Sequence, residues 1–501
     1  MQQKVTTKIR TAPQLSTTEL SARERIQRTF DPNTFIEIDA NVHHRSQNFE
    51  LMERKLPGDG VVCGFGQVNG RTVYAYAQDR TVLGGSLGEA HAKKITKVMD
   101  FAGKAGCPFI AINDSGGARI QEGVEALAGY GEIFQRHVRY SGVIPQIALM
   151  MGPCAGGAAY SPALSDFVIM VKGKSYMFVT GPKVVRAVTG EDINSEALGG
   201  GRVHAETSGV AHFLVKSESK GIETARQILS YFPSSNLEAP PMADADDSPS
   251  RRCDDLRQIV PEQCNKPYEM RDVIHSVLDR GSFLEVQASW AQNIRVGLGR
   301  LAGAAVGVVA NNPAVCAGVL DSDASRKAAR FVRTCNAFGL PLLSLIDVPG
   351  FMPGTRHEHD GIIDHGAKLA FAYCEATVPK MSVILRKAYG GAYIVMSSKH
   401  VGGDFNFAWP NAQIAVVGAA AAVEILYGKE LNALGNSATQ RAKLAVEHHA
   451  QFANSSIAEA RGFLDAVIEP AQTRRMLCHS LRAIRGKCEV LPYKRNGNIP
   501  L

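Results

Sequence analysis

Two short glycine-rich segments have residue types that could stabilise negative charge through backbone groups. They are Gly156-Gly157-Ala158 and Gly390-Gly391-Ala392, and each follows an apolar run and opens a helical pattern. The first N–H groups of a helix have no acceptor inside it, and glycine lets a ligand approach them closely. The positive end of the helix dipole lies at the same place. Each segment therefore predicts an oxyanion hole, a pair of N–H donors aimed at a developing negative oxygen.

The two segments occupy matching places because the chain repeats itself. Shifting the sequence by 233 or 234 residues superposes identical residues in the same order along most of both halves. The matches at 233 are Gly64/Gly297, Gly66/Gly299, Gly70/Gly303, Val73/Val306, Gly85/Gly318, Lys94/Lys327, Gly106/Gly339, Pro108/Pro341, Asp114/Asp347 and Gly117/Gly350. Those at 234 are Pro145/Pro379 and the two Gly-Gly-Ala segments. A tight turn needing glycine only for packing is the alternative, and the recurrence favours two binding sites over it.

Three other motifs suggest different chemistry. Gly84–Gly88 matches the G-x-S-x-G nucleophile elbow, but the repeat places Val319 opposite its serine. The glycines of Gly64–Gly70 miss the dinucleotide spacing and surround a hairpin turn. The acidic and histidine-rich run His357–His365 lacks the H-E-x-x-H spacing of a zinc site, and a solvated or substrate-facing loop is favoured. We therefore expect neither a serine hydrolase, nor an NAD enzyme, nor a bound metal.

The elements that must position these segments alternate between strand and helix in both halves. In the first half, Asn69-Gly70 between two β-rich runs predicts a hairpin. A helix over 86–105, a strand over 109–113, a helix over 124–140 and a strand over 146–151 follow. This order predicts an α/β fold built twice. The predicted domains are an N-terminal extension (1–20), a first domain (21–250) and a second domain (251–501), with a Pro-, Asp- and Ser-rich linker over 234–267.

Composition and charge exclude several classes of protein. The net charge of +7 comes from scattered residues with no Lys/Arg tract, so nucleic-acid binding has no support. The ten cysteines form no C-x-x-C pair, which argues against a zinc ribbon or a disulfide scaffold and favours a reducing compartment. No apolar run reaches the length of a membrane span. Glycine is enriched, at 48 of 501 residues, which fits many tight backbone approaches.

With these residues in view, the chain resembles the carboxyltransferase (β) subunit of biotin-dependent acyl-CoA carboxylases, of the propionyl-CoA carboxylase type. The resemblance extends from Ser21 to Leu501 and rests on long segments. Among them are PGDGVVCGFG, GGSLGEAHAKKI, NDSGGARIQEGVEALAGYGEIF, SGVIPQIALMMGPCAGGAAYSPALSDF, LIDVPGFMPGT and HGAKLAFAYCEATVPKMSVILRKAYGGAYIVMSSKH. It implies a duplicated crotonase-like α/β fold. It also implies a homo-hexamer built as a trimer of dimers, in which the N-half of one subunit and the C-half of another form each active site.

The resemblance also implies roles for individual residues. Gly156 and Gly157 match the amides that hold the thioester oxygen of the acyl-CoA, and Gly391 and Ala392 match those that hold the ureido oxygen of biotin. The implied substrate-binding residues are Ser115, Gly116, Gly117, Ala118, Arg119, Tyr160 and Ile394. For Arg119, a structural role in capping its turn is an equal alternative to a position beside CoA. Relatives of the propionyl type typically carry Asp at the position of Ile394. An apolar residue there goes with an altered or broader choice of acyl group.

The implied reaction moves a carboxyl group from carboxybiotin to the α-carbon of a short acyl-CoA, with propionyl-CoA or a related thioester as substrate and no metal in this subunit. No Ala-Met-Lys-Met segment is present, so we expect biotin to be carried on a separate protein, beside a biotin carboxylase. The expected location is the cytoplasm, with the mitochondrial matrix as the alternative. The first 18 residues are basic and Thr-rich, which weakly resembles a transit peptide.

Departures from the family pattern leave alternatives open. Arg80 stands where relatives usually have Phe, and Asp364 where they usually have a basic residue. These changes leave open which acyl-CoA is the substrate and which protein is the partner. A biotin-dependent decarboxylase or transcarboxylase subunit would use the same sites in the reverse direction. A crotonase-type hydratase or hydrolase would need a side-chain acid/base pair, and none is evident after the Gly-Gly-Ala segments. A non-catalytic assembly subunit is disfavoured because both segments are retained.

Overall fold

The computed structural model describes residues 20–433 and 438–500 and divides the chain into two compact units. The first unit runs to Ser230 and includes Ser234–Leu237, and the second comprises Tyr231–Pro233 and the chain from Glu238 onward. The last crossing between the units, at 237/238, lies within the predicted linker 234–267 and ahead of the predicted domain boundary at 250/251, and the earlier crossings precede that linker. The predicted N-terminal extension lies, apart from residue 20, outside the described residues.

Each unit contains one eight-stranded sheet. The strands of the first unit are β1 (Ile36–Ile38), β2 (Val61–Val68), β3 (Arg71–Gln78), β4 (Phe109–Ser115), β5 (Gln146–Ala155), β6 (Phe167–Val171), β7 (Tyr176–Phe178) and β8 (Phe213–Val215). Those of the second are β9 (Leu284–Val286), β10 (Ile294–Leu301), β11 (Ala304–Asn311), β12 (Leu342–Val348), β13 (Lys380–Tyr389), β14 (Phe405–Ala408), β15 (Gln413–Ala415) and β16 (Ala466–Val467).

The helices of the first unit are α1 (Ala22–Thr29), α2 (Glu89–Ala105), α3 (Val124–Tyr140), α4 (Gly157–Ala163), α5 (Pro182–Thr189), α6 (Ser195–Gly199), α7 (Gly201–Glu206) and α8 (Glu218–Tyr231), the last of which ends in the second unit. Those of the second are α9 (Leu256–Ile259), α10 (Met270–Val277), α11 (Ser322–Ala337), α12 (Thr355–His359), α13 (Ile362–Glu375), α14 (Gly390–Val395), α15 (Ala419–Ala433), α16 (Ala438–Phe452), α17 (Ser455–Ala460) and α18 (Thr473–Ile484).

The two sheets have the same topology. The first has the order β1-β2-β3-β4-β5-β6-β8 with β7 beside β5, and the second has β9-β10-β11-β12-β13-β14-β16 with β15 beside β13. In each, the first three strands are antiparallel and the others are parallel. This confirms the predicted duplicated α/β fold.

The local sequence explains the main elements of the first unit. Asn69 and Gly70 both have positive φ, of 52° and 76°, as the turn between β2 and β3 requires. Every residue of β4 is buried, because the parallel part of such a sheet is covered on both faces. Helix α2 begins three residues later than the predicted start at 86, since Leu87 pairs with Ala118 in extended conformation.

Two other sequence expectations differ from the structure. Strand β5 continues to Ala155, through residues predicted to form a loop, because β7 pairs with its last three residues. The predicted linker is partly folded, since Cys253 and Leu256 are fully buried in the core of the second unit.

Candidate active site

The glycine-rich loops of the first unit lie at the carboxyl ends of β4 and β5, which are adjacent parallel strands. Ligands of α/β sheets bind beyond this edge. Gly117, in the loop after β4, has φ of 99°, and a Cβ there would lie 3.0 Å from the carbonyl oxygen of Ala155 at the end of β5. The loop can therefore approach the end of β5 only with glycine at position 117.

Backbone pairing fixes the orientation of this loop. Leu87 donates to the carbonyl of Gly117 and accepts from the N–H of Arg119, both at 2.9 Å. Because a trans peptide directs its C=O and N–H to opposite sides, the N–H of Ala118 points away from Leu87. The sheet order places β5 on that side of β4. The N–H of Ala118 is thus presented toward the edge where α4 begins.

Helix α4 follows β5 after a single turn residue. Gly156 has φ of 58°, and its N–H donates to the carbonyls of Phe178 and Val179, both at 3.1 Å. The N–H of Gly156 is therefore hydrogen-bonded within the unit. This corrects the expectation that it is free to hold the thioester oxygen. Gly157 and Ala158 occupy the first two helical positions, where N–H groups have no intrahelical acceptor. A Cβ on Gly157 would lie 2.6 Å from the Tyr130 ring.

The first-unit hole is defined here as the N–H groups of Ala118, Gly157 and Ala158. Helix α4 has only seven residues, so its dipole is small and the N–H groups themselves supply the favourable potential. In this hole, sequence reasoning missed Ala158, the partner of Gly157 at the start of the helix. The repeat carried that signal, since it aligns Gly157-Ala158 with Gly391-Ala392.

The second unit repeats this arrangement. Leu320 donates to the carbonyl of Gly350 at 3.1 Å and accepts from the N–H of Met352 at 2.8 Å, which leaves the N–H of Phe351 pointing away from Leu320. Gly390 has the same φ as Gly156, 58°. The second-unit hole is the N–H groups of Phe351, Gly391 and Ala392, the latter two in the first turn of α14.

Gly391 is exposed, whereas the side chain of Ala392 is buried. The nearest atom to a Cβ built on Gly391 is on the Phe351 ring, at 3.8 Å. The absence of a side chain at position 391 therefore leaves an open approach to the second-unit hole. A flat ligand group could reach the N–H donors from that side.

A buried carboxylate anchors the end of the fourth strand of each sheet. Asp114 pairs with Arg25 at 2.9 Å, and Arg25 also binds Glu218 at 2.7 Å. Burial raises the pKa of Asp114, and Arg25 opposes that shift. Asp347, the repeat equivalent, pairs with Arg386 at 2.7 Å. Both carboxylates need a cation because an unpaired buried charge is costly. Sequence reasoning recorded both aspartates as repeat matches without assigning them this role.

Arg119 has a structural environment. Its side chain is fully buried, and Nη1 binds Asp59 at 2.6 Å and Glu122 at 2.7 Å. Nη2 donates to the carbonyl of Ser86 at 2.9 Å. Burial raises the pKa of Asp59, and the charge of Arg119 opposes that shift. Of the two roles considered for Arg119, the structure supports capping and holding the loop, not contact with a ligand.

The other predicted binding residues divide into buried and accessible groups. Ser115 is 1% exposed, and its hydroxyl donates to the carbonyl of Gly85 at 2.6 Å and accepts from the N–H of Gly117 at 3.2 Å, so it shapes the loop. Gly116 is exposed beside it. Tyr160 and Ile394 follow the Gly-Gly-Ala segments and are 50% and 43% exposed. These two side chains are available to line a ligand.

The remaining sequence features lie outside the two holes. Arg80 is half-exposed, with Nη1 3.6 Å from the Asp114 carboxylate. Asp364 pairs with Lys368 at 3.1 Å. Among residues 20–433 and 438–500, no group of three or more His, Cys, Asp or Glu side chains could hold a metal ion. In the same part of the chain, no helix has both the length and the apolarity needed to cross a bilayer.

The fold and the family comparison define the class. Residues 13–499 match the family model described as "Carboxyl transferase domain", and the chain belongs to this family of carboxyltransferase enzymes. More particularly, it is similar to the propionyl-CoA carboxylase carboxyltransferase subunit of Haloferax mediterranei, at 54% identity over 98% of this chain and 95% of the relative. The β chain from Roseobacter denitrificans is 51% identical, over 96% of this chain and 94% of the relative.

The chain is also similar to a decarboxylase subunit and to a transcarboxylase. The methylmalonyl-CoA decarboxylase subunit alpha of Propionigenium modestum is 50% identical over 96% of this chain and 93% of the relative. The crystal structure of transcarboxylase 12S, described as a hexamer assembly with methylmalonyl-coenzyme A bound, matches with a TM-score of 0.93 at 45% identity. That match covers 96% of this chain and 93% of the transcarboxylase chain.

Proposed function

We propose that the chain transfers a carboxyl group from carboxybiotin to the α-carbon of a short acyl-CoA, with propionyl-CoA or a related thioester as substrate. The observation that carries the proposal is the duplicated pair of backbone holes, one in each unit. Two of the four similar proteins named above are propionyl-CoA carboxylase subunits, which supports this substrate class. Biotin is carried on a separate partner that works with a biotin carboxylase.

The first-unit hole suits the thioester oxygen. The α-carbon of an acyl-CoA is a weak acid, and its enolate places negative charge on that oxygen. N–H groups fixed by the Leu87 pairing and by the start of α4 are already oriented, so they stabilise the charge without reorganising. Their stronger interaction with the enolate than with the thioester is what lowers the barrier.

The second-unit hole fits the ureido oxygen of biotin, since the glycine at 391 leaves room for a flat ring. Carboxybiotin held there would supply the carboxyl group as CO2 when its N–C bond breaks; the freed ureido nitrogen would be the base for the α-proton, and the enolate in the first-unit hole would form the new bond to CO2. The N–H groups of Gly391 and Ala392 would hold the ureido oxygen and favour negative charge on it. The scheme needs no side-chain base, which agrees with holes built from backbone groups alone.

The reverse direction is the second candidate, because similar proteins include a decarboxylase subunit and a transcarboxylase. Both directions would use the same two holes. The test is a panel of acetyl-, propionyl-, butyryl- and methylmalonyl-CoA with biotin or carboxybiotin, in which formation and loss of the carboxylated thioester are both measured. We expect biotin-dependent transfer and no carboxylation by the protein alone with ATP and bicarbonate. Carboxylation by the protein alone would contradict the division of roles.

Ile394 should influence the choice of acyl group. It is 43% exposed and two residues beyond the second-unit hole. Replacing it with Asp is expected to lower kcat/KM for the longer thioesters by about tenfold relative to propionyl-CoA, since a charge disfavours an apolar chain. The measurement is kcat/KM across the panel, with Ile363→Asp, at a 78% exposed isoleucine, as the control. An unchanged ratio would remove Ile394 from the acyl site.

The proposed assembly is a homo-hexamer, like the one described for transcarboxylase 12S. Each unit has neighbouring apolar side chains exposed to solvent: Val184 (49%) and Val188 (79%) lie one turn apart on α5, and Ile425 (75%) and Leu426 (59%) are adjacent on α15. Exposed apolar surface of this kind is typical of subunit contacts. Cytoplasm, with the mitochondrial matrix as the alternative, is the compartment we propose, because a biotin carboxylase must be present.

A further inference from the structure

A cavity of about 280 Å³ lies in the second unit, apart from the residues of the second-unit hole. Its apolar walls are Val260, Pro261, Leu385, Trp409, Pro410 and Pro470. An apolar cavity of roughly 150 Å³ is large enough to bind benzene. The present cavity could therefore hold a ring or a branched chain together with a polar group.

One polar side chain of the cavity lining is almost completely buried. Arg386 is 3% exposed, and its Nε donates to Asp347 at 2.7 Å. Its Nη1 donates to the carbonyls of Gln263 and Lys266, both at 2.9 Å. The ring of Tyr268 covers one face of the guanidinium, 4.6 Å away. In the described ranges 20–433 and 438–500, Nη2 of Arg386 donates to no acceptor.

Nη2 is not fully enclosed by protein, so a ligand can reach it, and a carboxylate is the best partner of a guanidinium N–H. The charges at the cavity rim restrict that partner further. Arg257 is paired with Glu469, and Glu262 is a second carboxylate at the rim. The rim therefore adds no free positive charge that could hold a second carboxylate of a ligand.

We propose that this cavity binds a small monocarboxylate with an apolar body, with the carboxylate on Nη2 of Arg386 and the body against Trp409 and the prolines. The site is separate from the transfer reaction and does not depend on it. Nη2 is the nitrogen of Arg386 left for a ligand, because Nε and Nη1 are used by Asp347 and the backbone.

Trp409 provides a direct readout, since the chain has two tryptophans, Trp290 and Trp409. In a Trp290→Phe background, phenylacetate should produce a saturable change in fluorescence. Phenylacetamide, which has the same shape without the charge, should bind at least tenfold more weakly. Benzylmalonate, with two carboxylates, should also bind more weakly. Equal binding of the amide, tighter binding of the malonate, or no saturation by phenylacetate below about 10 mM would overturn the proposal.

Two variants separate the cavity from general stability. Val260→Phe fills the cavity without altering Arg386 and should weaken phenylacetate binding at least tenfold. Val446→Phe, at a 69% exposed valine, is the matched control and should bind normally. Arg386→Met should abolish binding, and if that variant does not fold, Val260→Phe still decides. Normal binding by a folded Val260→Phe protein would place phenylacetate elsewhere and overturn the proposal.

Discussion

Replacement of Gly391 by valine should lower the rate of carboxyl transfer by about 100- to 1,000-fold, the usual effect of losing one oxyanion donor. The new side chain would cover the open approach to the N–H groups of the second-unit hole. The fold should tolerate it, since a Cβ at this position lies 3.8 Å from the nearest atom, on Phe351. The loss should appear in kcat, with KM for the acyl-CoA little changed, because the first-unit hole is intact.

Gly486→Val is the matched control, because Gly486 has no atom within 4 Å of a Cβ and lies beyond α18, outside the hole. It should transfer carboxyl groups at the normal rate. Full activity of the Gly391→Val protein would contradict the role of the second-unit hole. Gly157 is a less clean target, since a Cβ there would lie 2.6 Å from the Tyr130 ring and could displace that ring.

Replacement of Arg119 by methionine should lower the free energy of unfolding by about 3–5 kcal/mol, because removing one partner leaves buried charge uncompensated. The charges concerned are Asp59 and Glu122, at 2.6 and 2.7 Å from Nη1. Denaturant unfolding of the variant and the parent protein, monitored by circular dichroism, measures the difference. The double variant Arg119→Met/Asp59→Asn should recover part of the loss, since one of the two stranded charges is removed.

Arg356→Met is the control for this prediction. Arg356 is 87% exposed and lies 3.5 Å from Asp360, so its loss should change stability by less than about 1 kcal/mol. If Arg119→Met unfolds like the parent protein but raises KM for the acyl-CoA, then Arg119 contacts the ligand and its structural role is wrong.

The sequence was most informative where the signal is local or repeated. The Asn69-Gly70 hairpin and the helix over Val124–Tyr140 were predictable because turn chemistry and apolar spacing are properties of neighbouring residues. The duplicated fold followed from matches between halves. The end of β5 was not predictable, because the partner that extends it, β7, lies more than twenty residues further along the chain.

The details of the site depend on distant partners. Whether the N–H of Gly156 is free is decided by the carbonyls of Phe178 and Val179, which no local pattern reveals. The burial of Arg119 depends on Asp59, sixty residues earlier in the sequence. Sequence reasoning could therefore locate the loops that form each hole, but could not tell which of their groups point outward.

The two buried aspartates show how far the halves have diverged since duplication. Asp347 obtains its cation from its own repeat, at position 386, whereas the equivalent position in the first unit is Gly152. A Cβ at Gly152 would collide with the Asp114 carboxylate, so that position cannot supply an arginine, and Arg25 of α1 takes its place. The first half has thus become dependent on a segment that precedes the repeat. A transplanted copy of the second half would keep this ion pair, whereas the first half would lose it without α1.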